Sequence, residues 1–158
     1  MIKKISKTLI GLMSILVVSC TTQQANVNVN VIDNDIYTGN ETIKYLADGV
    51  ADRIFFATNK YNISTRGSET LLKQVTYLKN NQNLNVTLEG HADERGTREY
   101  NLALGEKRAN AVKDYLIANS ISSSRIKVVS YGKERPANPA SNAIAWSQNR
   151  RTVTVKIN

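Results

Sequence analysis

Residues 84–96 read LNVTLEGHADERG, and this stretch decides the fold. Its first half alternates the apolar residues Leu84, Val86 and Leu88 with polar ones, which is the pattern of a strand with one buried face. Its second half is a short charged loop, and the residues that follow, from about 97 to 119, have the apolar spacing of a helix. A strand that continues through a loop into a helix predicts a sheet covered by helices.

The same two patterns recur on both sides of this stretch. Residues 53–57 (RIFFA) have the pattern of a short buried strand, and an amphipathic helix follows them. Residues 126–131 and 151–157 have the pattern of two further strands, with a possible helical turn over 143–149 between them. The order β-α-β-α-β-(α)-β predicts an α+β fold, a two-layer sandwich in which a mixed four-stranded sheet carries its helices on one face.

The start of the chain has the pattern of a secretory signal, predicted over residues 1–19. Three lysines precede an apolar run of about ten residues, half of the roughly twenty that a membrane-spanning helix needs. The only cysteine of the chain, Cys20, stands at the end of that run in the string VVSC, which resembles a bacterial lipobox. The resemblance implies lipid on Cys20 and, because Thr21 follows, an outer-membrane location with the domain facing the periplasm. The alternative is a free thiol behind an ordinary cleavage site.

The remaining chain divides into an acidic tether and a basic domain. Residues 20–51 are predicted to be a flexible tether with a possible short helix near 42–50, and after Cys20 they carry a net charge of −3. About thirty residues reach roughly 100 Å when fully extended and roughly 30 Å as a relaxed coil. Residues 52–158 form the predicted domain, whose 17 Lys and Arg against 9 Asp and Glu favour an anionic partner.

Several classes of function are disfavoured by composition. One cysteine and one histidine cannot assemble the usual zinc site or an intramolecular disulfide, and no nucleotide-binding motif occurs, so we expect no metal and no cofactor. Few aromatic residues, no basic run longer than Arg150-Arg151 and a secretory signal argue against nucleic acid. His91 with Asp93 or Glu94 could suggest acid–base catalysis, but a second positioned group is missing. We therefore expect a protein that is not an enzyme, in which His91 makes a structural hydrogen bond.

The candidate binding pair is Asp93, in the charged loop, with Arg108, in the helix that follows it. Asn101, Leu104 and Arg108 share one face of that helix, because they are separated by three, four and seven residues. A carboxylate accepts hydrogen bonds and a guanidinium donates them, so together they complement the ammonium and carboxylate of an amino-acid centre. Two alternatives stay open: a salt bridge between the two side chains, or a solvated turn without a role.

Four strings in the chain resemble the peptidoglycan-associated lipoproteins of the OmpA-like peptidoglycan-binding family. They are FATNKYNI (56–63), EGHADERGTREYNLALGEKRANAVKDYL (89–116), VSYGKERP (129–136) and WSQNRRTV (146–153). The resemblance implies an OmpA-like fold and places on Asp93 and Arg108 the grip on the amino and carboxyl groups of diaminopimelate in the peptidoglycan stem peptide. It assigns further pocket positions to Arg95, Asn101, Leu104, Thr58 and Asn59.

The resemblance also implies partners, and the chain departs from the family pattern at two positions. It implies a Tol–Pal system role in envelope integrity and cell division, with the β-propeller protein TolB binding on a surface that overlaps the peptide site. Asn59 and Asn62 stand where many family members have aspartate, so the first loop loses two negative charges. Arg150 and Arg151 could either anchor the last strand or hold ligand.

Overall fold

The computed structural model describes residues 35–157, which contain six strands and three helices. The strands are β1 (Tyr45–Ala47), β2 (Val50–Ala51), β3 (Arg53–Phe55), β4 (Asn85–His91), β5 (Ile126–Gly132) and β6 (Arg151–Ile157). The helices are α1 (Thr65–Asn80), α2 (Arg98–Ala118) and α3 (Ala143–Asn149), and a short 3₁₀ turn over Ser123–Arg125 precedes β5.

The main sheet has four strands in the order β3-β6-β4-β5. The last strand in sequence, β6, lies between β3 and β4 and runs antiparallel to both, whereas β4 and β5 are parallel. The parallel pair is connected through α2, as a crossover connection requires. The predicted α+β class with a mixed four-stranded sheet is therefore confirmed.

Helices α1 and α2 cover one face of the sheet because each presents an apolar stripe to it. Each helix begins at a hydroxyl cap: the side chain of Ser64 accepts from the Gly67 amide, and that of Thr97 accepts from the Tyr100 amide. The buried core between helices and sheet consists of Ile54, Phe56, Leu71, Val75, Leu78, Val86, Leu88, Ala109, Val112, Leu116, Ile121 and Ile126.

Two glycines let α2 approach β4 closely. A Cβ atom on Gly90 of β4 would lie 1.8 Å from the carbonyl oxygen of Gly105 in α2, and one on Gly105 would lie 2.9 Å from the carbonyl oxygen of Gly90. Because no side chain separates the two backbones, α2 is held at a fixed distance from the end of β4.

The possible helix near 42–50 is wrong: these residues contain β1 and the start of β2, which pair antiparallel. Asp48-Gly49 forms the turn, and Gly49 has φ +69°, a conformation that glycine adopts without strain. The apolar spacing fits a helix, but so short a segment gains more from pairing around this turn than from helical propensity.

Part of the predicted tether packs on the domain. Tyr37 is buried and meets the Phe55 ring edge-on, with ring centroids 4.8 Å apart, and Leu46 is also buried. The folded unit thus begins before residue 52, because apolar side chains upstream of that position cover the sheet. The predicted signal peptide and Cys20 lie outside the described residues. Between residues 35 and 157 no helix is both long and apolar enough to cross a membrane.

Candidate functional site

A cleft lies at the carboxyl end of β4, between two loops. The first loop, residues 56–64, follows β3, and the β4–α2 loop, residues 92–97, follows β4. Sheets with helical crossovers commonly bind ligands at this end of their strands. The cleft has a volume of about 320 Å³, and its walls are formed by Thr58, Asn59, Asp93, Arg95, Gly96 and Tyr100.

The Asp93 carboxylate is the buried anion of the cleft. Its Oδ1 accepts from the main-chain N and from Nε of Arg95, both at 3.1 Å, and its Oδ2 accepts from Nη2 of Arg95 at 2.8 Å and from Nη1 of Arg150 at 3.2 Å. Burial alone would raise the pKa of Asp93, but hydrogen bonds from Arg95 and Arg150 together outweigh it and hold the pKa below its usual range. The cleft therefore presents an ionised carboxylate at neutral pH.

Arg95 forms the exposed side of the cleft. Besides holding Asp93, its Nη2 donates to Oγ1 of Thr58 at 3.2 Å, and its guanidinium lies 4.3 Å from the centroid of the Trp146 ring. The hydrogen bond to Asp93 raises the pKa of Arg95. Because its side chain is 42% exposed, Arg95 can exchange its partners without opening the core.

Arg108 lies behind the cleft rather than in its wall. It is completely buried and donates to three main-chain oxygens: Nε to Lys60 at 2.9 Å, Nη1 to His91 at 2.8 Å and Nη2 to Ala57 at 3.1 Å. Burial, together with the charge of Arg150, lowers its pKa to about 10, although the Asp93 carboxylate opposes this. Arg108 thus ties the first loop to the end of β4.

The alternative of a salt bridge between Asp93 and Arg108 is not what the structure shows. In the part of the chain that it describes, the ion pairs of Asp93 are with Arg95 and Arg150. The charge of Asp93 still acts on Arg108, because it opposes the lowering of the Arg108 pKa, but the two side chains have different hydrogen-bond partners.

The other predicted residues divide between the cleft and its support. Thr58 and Asn59 line the cleft with Asp93 and Arg95, and Asn59 holds a left-handed conformation (φ +56°), which asparagine tolerates. Asn101 and Leu104 are buried in α2 outside the cleft wall. Nδ2 of Asn101 donates to the Arg95 carbonyl at 2.8 Å, so this buried side chain helps to hold the β4–α2 loop in its conformation.

Arg150 is the site residue that the sequence reasoning did not assign. It is 1% exposed, and besides Asp93 it donates from Nε to the Phe56 carbonyl at 3.0 Å and from Nη2 to Asp35, whose Oδ1 lies 2.8 Å away. The signal that could have found it is topological. A last strand that runs antiparallel beside β4 must begin where β4 ends, and Arg150 directly precedes that strand.

Glu94 fastens the β4–α2 loop to α3. Its Oε1 accepts from Nε1 of Trp146 at 2.8 Å and its Oε2 from Oγ of Ser141 at 3.1 Å, and these hydrogen bonds lower its pKa. Lys133 also holds this loop in place, because its Nζ donates to the carbonyl of Gly96 at 2.8 Å. The loop that carries Asp93 is therefore held from both sides.

The expected structural hydrogen bond of His91 is absent. Neither ring nitrogen makes one of ordinary geometry within residues 35–157, and the ring packs against Tyr131 with centroids 5.5 Å apart. Burial is the main reason that its pKa is lowered to about 3; Arg151, Arg53 and Arg135 add to the lowering, and the main chain of Arg135 partly offsets it. His91 is neutral at physiological pH, so its 3.8 Å approach to Glu89 is not an ion pair there.

Among residues 35–157, no three or more His, Cys, Asp or Glu side chains lie together as a group that could hold a metal ion.

Comparisons with known proteins agree on one family. A family model described as the OmpA family matches residues 55–150. Among similar proteins, the peptidoglycan-associated lipoprotein of Agrobacterium fabrum is 51% identical over 106 residues, which is 67% of this chain and 60% of the relative. That of Brucella melitensis is 42% identical over 146 residues, which is 90% of this chain and 86% of the relative. The chain thus spans less than two thirds of the Agrobacterium protein.

A solved structure agrees with these matches. The crystal structure of the peptidoglycan-associated lipoprotein from Burkholderia pseudomallei superposes with a TM-score of 0.65 at 35% identity, covering 67% of this chain and 90% of that one.

Proposed function

The chain belongs to the OmpA family, among its peptidoglycan-associated lipoproteins, and on that premise we propose that it binds peptidoglycan without catalysis and links the outer membrane to the cell wall. The cleft at the end of β4 would receive the amino-acid centre of diaminopimelate in a stem peptide. The observation that carries this proposal is that Asp93, in the cleft wall, is buried and ionised and accepts hydrogen bonds from the side chains of Arg95 and Arg150.

The ammonium group of the ligand is the partner of Asp93. Among residues 35–157, the four hydrogen bonds to this carboxylate come from arginines, and three of them come from Arg95. The Arg95 side chain is the exposed one, so the ammonium replaces it at the carboxylate while the main-chain N of Arg95 stays in place. The released guanidinium then donates to the ligand's carboxylate, which keeps both partners of the original ion pair satisfied.

Arg108 contributes from behind the cleft. Its charge favours an anionic group in the cleft, and its hydrogen bonds to Ala57 and Lys60 hold the first loop, with Thr58 and Asn59, in position. A guanidinium has five N–H donors, and three of those of Arg108 are used on main-chain oxygens. Arg108 therefore acts on the ligand through its charge and through the position of the first loop.

The rest of the proposal concerns the whole chain. Lipid on Cys20 would anchor it in the outer membrane with the domain in the periplasm, and residues between the lipid and the domain would span the gap to the wall. Two or more acyl chains are needed for lasting attachment, since burial is worth about 0.8 kcal/mol per methylene. By resemblance to its relatives, we extend the proposal to TolB as a competing partner and to a Tol–Pal role in cell division.

The test is co-sedimentation of the full chain with purified sacculi. We expect Asp93→Asn to bind at least about tenfold more weakly, because a neutral amide forfeits the charge-assisted bond to the ammonium, worth about 1.5–3 kcal/mol. The matched control is Asp114→Asn, which removes the same charge from an exposed position late in α2 and should bind normally. Full binding by Asp93→Asn, with normal binding by the control, would remove the site assignment.

A further inference from the structure

Asp35, in the segment that leads into the domain, lies against the candidate site. Its Oδ1 is 2.8 Å from Nη2 of Arg150, and its Oδ2 accepts a hydrogen bond from Oγ1 of Thr58. The same Nη2 also donates to the main-chain oxygen of Asp35. The contacts with Arg150 join positions 115 residues apart and the contact with Thr58 joins positions 23 apart, so a specific carboxylate of the leading segment is seated on the folded domain.

The contact faces solvent on one side only. Arg150 is 1% exposed, whereas the Asp35 side chain is 44% exposed. Two exposed ions would attract each other weakly, but a buried guanidinium has little water to replace a lost partner. Asp35 can therefore be displaced from the solvent side, and the group that displaces it must satisfy Arg150.

Each nitrogen of Arg150 has its own partner. Nε donates to the Phe56 carbonyl and Nη1 to Asp93, both within the domain, while the partner of Nη2 among the described residues is Asp35. When Asp35 leaves, a buried N–H of a charged group is left without a partner, and this is unfavourable. A carboxylate from a ligand removes that cost by taking the vacated position.

Thr58 connects this contact to the cleft. Its Oγ1 donates to Asp35 and accepts from Nη2 of Arg95, and Thr58 lies in the cleft wall beside Asp93. A second cleft of about 490 Å³ has Asp35 and Thr58 in its walls, so the two clefts share this threonine. A ligand that contacts Thr58 in the first cleft thus meets the segment that contains Asp35.

We propose that Asp35 is a built-in competitor for the ligand's carboxylate, and that Arg150 is a further binding residue, which becomes available when Asp35 withdraws. This inference rests on the proposed function, because the ligand it concerns is the diaminopimelate-containing peptide. In the free chain Asp35 holds Arg150 and Thr58, and binding exchanges one carboxylate for another.

The expected effect follows from population arithmetic. A ligand that binds only the form without Asp35 has an apparent affinity lowered by the fraction of molecules in that form. If Asp35 is seated in about two thirds to nine tenths of molecules, its removal strengthens binding about three- to tenfold.

The test is calorimetric titration of the full chain with a tripeptide that ends in diaminopimelate. We expect Asp35→Asn to bind about three- to tenfold more tightly than the unaltered chain, because the amide competes less well for Arg150. Asparagine keeps the left-handed backbone of this position (φ +61°). Asp48→Asn is the matched control: it removes the same charge from the exposed β1–β2 turn and should change nothing.

The outcomes separate this inference from the proposed function. If the unaltered chain binds the tripeptide and Asp35→Asn binds equally or less tightly, Asp35 is no competitor although the binding function stands. If the unaltered chain does not bind, the proposed function fails.

Discussion

At the scale of single residues, Arg108 shows how a predicted ligand contact also organises the site. One planar guanidinium donates to the carbonyls of Ala57, Lys60 and His91, which belong to two segments far apart in sequence. Lysine offers a single ammonium group and cannot match this fork. The shape of the first loop therefore depends on the kind of cation at this position as well as on its charge.

We expect Arg108→Lys to lower the free energy of unfolding by about 2–4 kcal/mol, because buried carbonyls lose their donors. Sacculus binding should fall at least about tenfold, because Arg108 shapes the cleft. Arg125→Lys is the matched control. Arg125 also donates to three carbonyls, those of Leu78, Asn81 and Leu84, but at the opposite end of β4. The Arg125→Lys variant should therefore lose stability but bind sacculi normally. Normal binding by Arg108→Lys would assign Arg108 to stability alone.

His91 makes stability depend on pH. Its pKa is lowered to about 3 in the folded chain, against about 6.5 when unfolded, so between these values the unfolded chain binds a proton that the folded chain excludes. Stability from this residue is complete above the unfolded pKa and is lost as the pH falls toward the folded one. From about pH 7 to about pH 5 the loss amounts to about 2 kcal/mol.

The variant His91→Phe should lack this dependence, since phenylalanine fills a similar space beside Tyr131 and does not titrate. Urea unfolding of both chains at the two pH values measures the difference. An equal loss of stability in the variant would show that other groups cause it.

The sequence was informative about which acidic residue lines the site and less so about its partners. Asp93 follows a clear strand, so its place at the strand end could be predicted from alternation alone. Its pairing with Arg150 could not, because that contact joins residues 57 apart and depends on β6 lying beside β4. The burial of Arg108 could not be predicted either, because helical spacing indicates which residues share a face and not how deeply that face is buried.

At the scale of secondary-structure elements, the contact between α2 and β4 sets the geometry of the cleft. Gly90 and Gly105 bring the two backbones together, and the loop that carries Asp93 connects the same two elements. A shift of the helix would therefore move the cleft wall.

We expect Gly90→Ala to destabilise the fold by about 2–3 kcal/mol or more, because the new Cβ would lie 1.8 Å from a main-chain oxygen that cannot rotate away. Gly67→Ala is the matched control. Its Cβ would meet side-chain atoms no closer than 3.3 Å, and alanine favours the helix, so we expect a change within about 1 kcal/mol. Thermal unfolding of both variants measures this, and equal stabilities would contradict the close-contact account.

Elements with long periodic patterns were predicted well, and a short one was not. Helices α1 and α2 and strands β4 and β6 carry enough repeats for the period to be recognised. Residues 42–50 contain too few, and the turn at Asp48-Gly49 decided the outcome in favour of a hairpin.

At the scale of the whole molecule, opposite charges are separated along the chain. The domain from residue 52 carries +8 and the segment before it, after Cys20, carries −3. This separation supports the competitor role of Asp35, since an acidic leading segment is attracted to a basic domain.

Anchoring has its own test. In cells of a Gram-negative host, Cys20→Ser should yield a precursor without acyl groups, while its domain still unfolds cooperatively. Mass spectrometry of the purified chain measures acylation. Acyl groups found on the Cys20→Ser chain would contradict the lipid attachment proposed for this residue.

The central claim is that the cleft beside Asp93 recognises an amino-acid centre. Its most direct test is calorimetric titration of the full chain with two tripeptides that differ only at the last residue, diaminopimelate in one and lysine in the other. Lysine keeps the side-chain ammonium and lacks the neighbouring carboxylate, so the arginines of the site would lose their partner. We predict at least about tenfold tighter binding of the diaminopimelate peptide. Equal affinity for the two peptides would contradict the claim.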